Sequence, residues 1–181
     1  VPVFDKLLLL DLDETLIHAS SKASVGHFRV GPYEVLERPH VRRFLQFAFD
    51  HFAEVAVWTA ASRGYAEQVL QHLLGQDFAT RLAFFWTRER CRQAIDYDTG
   101  YLSTEKPLRK VRRRGYDLAK VLFVEDTPEN LRRSYGNLVP VQPFVGDPTD
   151  DELVELEAFL HELGGLEDVR RHEKRGWRGR G

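Results

Sequence analysis

Asp11-Leu12-Asp13-Glu14-Thr15 follows directly on the apolar run Leu7–Leu10. If that run is a buried strand, residues two apart project to the same side, so Asp11 and Asp13 emerge together from its carboxyl end. Two carboxylates held side by side repel each other and burial raises the cost, so the pair calls for a compensating cation. An Asp or Thr at such a place can also cap a helix. Two further apolar runs end in residues of related chemistry: Val55-Ala56-Val57-Trp58 stops at Thr59, and Val121-Leu122-Phe123-Val124 stops at Glu125-Asp126-Thr127-Pro128. Three parallel strands would then bring two acidic pairs and a hydroxyl to one sheet edge, where ligands of open α/β sheets bind. This set suits a divalent cation and a phosphate. Magnesium takes six oxygens, keeps several waters, and is satisfied by one or two carboxylates with a carbonyl and a substrate oxygen.

Four acids need positive charge nearby before the site can accept a dianionic phosphate. The candidates are Lys106, in Thr104-Glu105-Lys106-Pro107-Leu108, and the run Arg109-Lys110-Val111-Arg112-Arg113-Arg114. A charge run of this kind reads as the solvated face of a helix. Pro107 fits the first turn of a helix, which would set Lys106 at its entrance near the site.

The elements that must hold these residues follow from periodicity. Strands are expected at Leu7–Leu10, Val55–Thr59, Leu82–Trp86, Val121–Val124 and Leu138–Val141, with helical stripes at Val41, Phe44, Leu45, Ala48 and at Tyr65, Val69, Leu70, Leu73, Leu74. Thr149 and Glu152 read as a capping box for a last helix that Gly164-Gly165 stops. Gly31-Pro32 splits Phe28–Glu37 into a small hairpin on the sheet's edge. The alternation of strand and helix implies α/β architecture, a central, mostly parallel sheet with helices on both faces. With 181 residues, 43% hydrophobic, the chain has core enough for one domain. That domain is read as residues 1–169, and 170–181 as a flexible basic Gly/Arg tail.

Lys and Arg number 26 against 28 Asp and Glu, a net charge of −2, which argues against a wholesale electrostatic binder of nucleic acid or membrane. The single cysteine, Cys91, forbids an internal disulfide and reads as a small packed residue. The four-residue run Leu7–Leu10 is far short of the roughly 18 apolar residues of a membrane span. The reading is a soluble, intracellular, cytoplasmic protein without a membrane partner, a nuclear location being left open.

Asp-Leu-Asp-Glu-Thr-Leu at 11–16, Trp-Thr-Ala at 58–60, Lys106 and Glu-Asp-Thr-Pro at 125–128 resemble, in order, the four motifs of haloacid dehalogenase superfamily phosphatases. Within that superfamily the chain is similar to the small C-terminal-domain phosphatases, the nuclear-LIM-interactor-interacting-factor type. Leu36-Glu37-Arg38-Pro39-His40-Val41, Gly136-Asn137-Leu138-Val139-Pro140-Val141 and Asp150-Asp151-Glu152-Leu153 extend the likeness, which runs from about Leu7 to Val169. The resemblance implies a single Rossmann-like domain of the haloacid dehalogenase fold, without a large cap domain. It implies Asp11 as a nucleophile that becomes an aspartyl-phosphate, and Asp13 as acid and then base. Thr59, with Ala60, would bind phosphate oxygens and Lys106 would neutralise them. Magnesium would be held by Asp11, the carbonyl of Asp13 and Asp126, with Glu125 in the same acidic set. Metal and lysine would keep Asp11 ionised, while neighbouring carboxylates favour a protonated Asp13.

The chain departs from the family pattern at three places. Glu125 stands where Asp is usual. Pro107 stands where Asp commonly follows the lysine, and the segment from Lys106 to Gly115 is longer than usual, leaving Lys110 or Arg109 as an alternative phosphate-facing cation. The insert between Thr15 and Pro39, about 23 residues, has room for a hairpin but not for a capping domain. The expected site is therefore open and suited to a macromolecule, with Phe28, Tyr33, Arg63 and Tyr65 along the substrate's path. Phosphoserine or phosphothreonine in protein is the first reading. A 3′-phosphate on a nucleic-acid end is the second, and a catalytically silent phosphate-binding scaffold or a small-molecule phosphatase stands behind them.

Overall fold

The computed structural model describes residues 1–22 and 25–179. Strand β1 (Phe4–Leu10) is the centre of a five-stranded sheet, flanked by β5 (Phe52–Trp58) and β9 (Val121–Glu125), with β6 (Phe85–Trp86) and β10 (Leu138–Pro140) at the edges. Each pairing in it is parallel. Parallel strands require crossovers, and helices supply them. Helices α1 (Val41–His51), α2 (Arg63–Leu74) and α5 (Glu152–Gly164) cover one face, and α4 (Arg109–Arg113) lies on the other. The short α3 (Phe78–Arg81) leads into β6.

Strand parity sorts the core. Leu8, Leu10, Val55, Val57, Leu122 and Val124 pack under α1, α2 and α5. Leu7, Leu9, Ala56, Trp58, Val121 and Phe123 pack on the opposite side with Leu108 and Val111. Side chains of this size contribute about 1.5–3 kcal/mol each when fully buried. The same parity carries into the polar residues that follow. Asp11 continues the Leu7–Leu9 side and Glu125 the Val121–Phe123 side, so both carboxylates meet whatever lies beyond the α4 face.

The structure corrects several expectations. The hairpin of β3 (Phe28–Val30) and β4 (Tyr33–Glu37) turns at Gly31, whose φ of 55° a glycine adopts without a Cβ clash. It does not extend the main sheet. It pairs with β2 (Ile17–Ser20) in a separate three-stranded antiparallel sheet, because β2 leaves the cleft directly after Thr15 and offers β4 a partner. A second hairpin, β7 (Arg92–Ile95) with β8 (Leu102–Glu105), lies between β6 and Lys106, where the apolar pattern predicts no strand. Its turn is closed by Asp96, whose carboxylate accepts from the amides of Asp98 and Thr99. The strand expected over Leu82–Trp86 is confined to Phe85–Trp86, since Leu82 ends α3.

The capping box is not formed. Thr149 Oγ1 donates to Asp147, while Glu152 accepts the Gln142 amide and pairs with Arg178. Asp150 instead accepts the amide of Glu152 at the helix start. Residues 170–179 do not stand apart from the domain: Trp177 stacks on Phe159 at 5.0 Å with planes 3° apart, and its indole donates to the carbonyl of Pro140. Arg178 pairs with Asp151 and Glu152. Composition marks this segment as solvated, but one buried indole and matched acids hold it; Arg180 and Gly181 lie outside the described residues. No helix among the described residues is long and apolar enough to cross a membrane.

Candidate active site

The carboxyl ends of β1, β5 and β9 open into one cleft of about 470 Å³, lined by Asp11, Asp13, Thr59, Ala60, Lys106, Glu125 and Asp126. Asp11 is fixed by its amide, which donates to the carbonyl of Val124 on β9. Lys106 follows β8 and is positioned by that hairpin: its amide donates to Asn130 O at 2.7 Å, and its side chain is fully buried. Its Nζ donates to Asp11 Oδ1 at 2.8 Å and Glu125 Oε2 at 2.6 Å, lying 5.3 Å from the centre of the Phe123 ring. Glu125, one methylene longer than the usual Asp, reaches the ammonium and also accepts the Thr127 amide through Oε1.

The electrostatics follow from this geometry. Burial would push the Asp11 carboxyl up, but the charge and hydrogen bond of Lys106 outweigh it and hold Asp11 below the ordinary carboxylate range. Burial would lower Lys106, yet Asp11 and Glu125 hold it above an ordinary lysine. Burial and the charge of Asp11 push Glu125 well up. Asp13 is pushed up to about 6, first by burial and then by the charges of Asp11 and Glu14, against an opposing hydrogen bond from Tyr65. Two aspartates two residues apart are therefore pushed in opposite directions, Asp11 down and Asp13 up, the kind of separation that lets two carboxyls serve different roles.

Thr59 is buried and its Oγ1 accepts the amide of Ala61 at 3.0 Å. Its own proton remains to be donated, which suits an anionic oxygen in the cleft. Carboxylate oxygens of Asp11, Glu125 and Asp126 lie within 4.8 Å of one another. Both Glu125 oxygens are engaged, and Asp126 accepts from the hydroxyls of Thr15 and Thr127, each at 3.3 Å. Burial and the charge of Asp11 push Asp126 up to about 6. Asp11 and Asp126 thus form a hard, oxygen-only, under-compensated pair, a donor set that fits magnesium. The Asp13 side chain lies outside this set and turns to Tyr65.

Lys110 is not brought to the cleft. Its Nζ donates to Arg90 O on the outer surface, because α4 turns it away while Val111 goes inward. Arg109, Arg112 and Arg113 are exposed, and Arg114 covers the Phe84 ring. Of the expected path residues, Tyr33 and Tyr65 line the cleft. Phe28 stacks on His72, and Arg63 pairs with Glu67 over the Phe85 ring.

The sequence reading gives no role to Thr15, beneath the acidic set, or to Arg88, on the cleft wall. Thr15 is buried, with Oγ1 at 3.1 Å from Asp11 and 3.3 Å from Asp126, so its one proton can orient either acid. Arg88 adds a second cation to the wall and donates from Nε to Ala60 O at 3.2 Å. It follows the end of β6, so the strand-end rule that picks out Thr59 would have found it had the edge strand been treated alike.

The family model described as "NLI interacting factor-like phosphatase" matches residues 6–170. The CTD small phosphatase-like protein of Homo sapiens is 32% identical over 173 residues, covering 91% of this chain and 58% of its own. Human carboxy-terminal domain RNA polymerase II polypeptide A small phosphatase 1 is 33% identical over 91% of this chain and 62% of its own. The chain therefore spans about three-fifths of the length of these relatives. Among solved structures, Fcp1, described as an essential RNA polymerase II CTD phosphatase, superposes with a TM-score of 0.59 at 18% identity over 94% of this chain and 59% of that one. The likeness to Fcp1 is one of fold. With the family model matching nearly end to end, the chain belongs to the NLI interacting factor-like phosphatases.

Proposed function

We propose that the chain hydrolyses phosphoserine or phosphothreonine in proteins, through an aspartyl-phosphate on Asp11 and with magnesium as cofactor. The observation that carries this reading is the buried Lys106 ammonium shared between Asp11 and Glu125, beside a Thr59 hydroxyl with its proton to give. Asp11, kept ionised, forms a bond to phosphorus as the ester P–O bond breaks. Asp13 gives its proton to the leaving oxygen, then takes one from the water that hydrolyses the acyl-phosphate. Thr59, beside Ala60, donates to a phosphoryl oxygen. Asp11, the backbone of Asp13 and Asp126 would hold the magnesium, which when bound offsets charge on the phosphoryl oxygens. Lys106, on Asp11 Oδ1, supplies further positive charge to the same oxygens.

A protein substrate is favoured by the shape of the cleft and by the relatives, which are named as carboxy-terminal-domain phosphatases. The three-stranded insert borders the cleft through Tyr33 and Ala19 without enclosing it, so a chain lying across it must help exclude water. The nucleic-acid reading rests on clustered cations, and the run Arg109–Arg114 lies outside the cleft lining, with Lys110 on the Arg90 carbonyl and Arg114 on the Phe84 ring.

The test is turnover of a phosphoserine peptide, a 3′-phosphorylated oligonucleotide and a hexose phosphate, each with magnesium and with a chelator, at two salt concentrations. The peptide should be processed best, and activity should vanish on chelation and return with magnesium. An oligonucleotide processed best would replace the substrate assignment. A hexose phosphate processed best would overturn the open-site argument.

A further inference from the structure

Tyr65 stands on the first turn of α2, where the neighbouring Ala66 and Val69 are buried and fix the helix against the sheet. Its phenol donates to Asp13 Oδ1 at 2.7 Å. Its ring meets Tyr33, at the turn of the β3–β4 hairpin, edge-on at 5.8 Å. We infer that Tyr65 is a positioning residue for Asp13, fixing which carboxyl oxygen handles the proton, and that the insert braces it through Tyr33. The inference rests on the acid–base role proposed for Asp13.

The argument is one of donors and acceptors. A phenol that donates to Oδ1 commits that oxygen to accepting, so the carboxylic proton resides on Oδ2. A carboxyl free to rotate would present either oxygen, and only one arrangement aims the proton at the leaving oxygen. In the first half-reaction Asp11 gains a bond to phosphorus, the ester P–O bond breaks, its electron pair stays with the leaving oxygen, and Oδ2 supplies the proton. In the second, Oδ2 takes a proton from water as the water oxygen bonds to phosphorus and the Asp11–phosphorus link breaks. Tyr65 keeps its own proton throughout. Its contribution should therefore grow with the need of the leaving group for a proton.

The experiment compares kcat/KM, which reports through the first irreversible step, on p-nitrophenyl, phenyl and benzyl phosphate. These have similar size and leaving groups of rising basicity. Tyr65→Phe keeps the ring and its packing and removes only the donor. It should cost less than about twofold on p-nitrophenyl phosphate and on the order of tenfold on benzyl phosphate, part of the 10²–10⁴-fold worth of general acid catalysis. Asp13→Asn, run alongside, should show the same gradation more steeply. An equal loss on all three esters with Tyr65→Phe, or no loss, while Asp13→Asn remains graded, would overturn the inference alone. An ungraded Asp13→Asn would overturn the acid assignment and the inference with it.

Discussion

The Lys106 ammonium lies 2.8 Å from an Asp11 carboxylate oxygen, although the two residues are 95 positions apart and enter the cleft from different sheets. Asp11 arrives on the central parallel strand, Lys106 on a separate two-stranded hairpin. The contact is buried on both sides, so it is screened little by salt and neither charge tolerates losing the other.

Replacing Lys106 by Ala should lower turnover by about 10²–10³-fold, the usual cost of removing a charged donor aimed at a reacting centre. Lys110→Ala should change it by less than about twofold, because that amine binds a surface carbonyl. Phosphate release from a phosphoserine peptide, on protein with an unchanged circular dichroism spectrum, decides it. A larger loss in Lys110→Ala would mean that the longer segment after Lys106 carries the phosphate-facing cation after all.

Asp11→Asn should abolish turnover and leave the fold in place. The amide is nearly isosteric: its Oδ1 can still accept from Lys106 while its Nδ2 donates to the Thr15 hydroxyl, whose proton turns to Asp126, but it cannot form an acyl-phosphate. Uncatalysed phosphate-monoester hydrolysis is so slow, with enzymes accelerating it by up to ~10²¹, that no residual route would be visible. Phosphate release and a thermal melt together check this. Measurable turnover in protein free of wild type would remove Asp11 from the nucleophile's place.

How far the sequence carries can be read from individual residues. Three apolar runs read as parallel strands are sufficient to place Asp11, Thr59 and Glu125 at the carboxyl edge of one sheet, because a fully buried parallel strand leaves little freedom in which way its end points. Lys106 is set apart from the neighbouring cations by Pro107 and by its family phrase rather than by strand pattern, since the β7–β8 hairpin before it has mostly exposed strands and gives no apolar signal. Asp96, Thr99 and Gly100 between those strands were the turn chemistry that could have revealed it. Tyr65 sits in a helical stripe and reads both as core and as part of the substrate's path; its hydroxyl bond to Asp13 joins α2 to the end of β1, a tertiary contact that periodicity does not carry. The terminal segment fails for the opposite reason, since its arginines look solvated and one of them, Arg178, is held by Asp151 and Glu152, distant in sequence.

Arg38 offers a stability prediction away from the chemistry. It is buried and forks onto Asp150 at 2.8 and 2.9 Å, while also donating to Thr15 O and Gln142 O. One guanidinium thereby ties the loop after Asp13 to the start of α5. Arg38→Ala leaves the Asp150 carboxylate and two carbonyls unmatched, and should cost about 3–5 kcal/mol in urea unfolding. Arg38→Lys should recover only part of this, since an ammonium cannot reproduce the fork. A cost below about 1 kcal/mol for Arg38→Ala, the range of exposed pairs, would show that water replaces the lost bonds.

Lys174 gives the domain a pH-dependent stability of unusual sign. Its side chain is buried with its Nζ on the carbonyls of Val169 and His172, 2.6 and 2.8 Å away. Burial pulls its pKa down to about 8, against smaller opposing effects of Glu173 and Asp168. In the unfolded chain the amine titrates near 10.5. Below about pH 8 both states hold the proton and stability does not vary with this group. Between about 8 and 10.5 the unfolded state holds one proton more, so stability rises with pH, by at most about 1.4 kcal/mol per unit. Lys174→Met removes the titrating group while keeping an aliphatic chain in its place. Urea unfolding of both proteins at pH 7.5 and 9.5 should show the wild type gaining on the variant as pH rises. Parallel changes in the two proteins would mean that the carbonyls hold the charged amine as well as water does, and that the C-terminal segment imposes no desolvation cost on it.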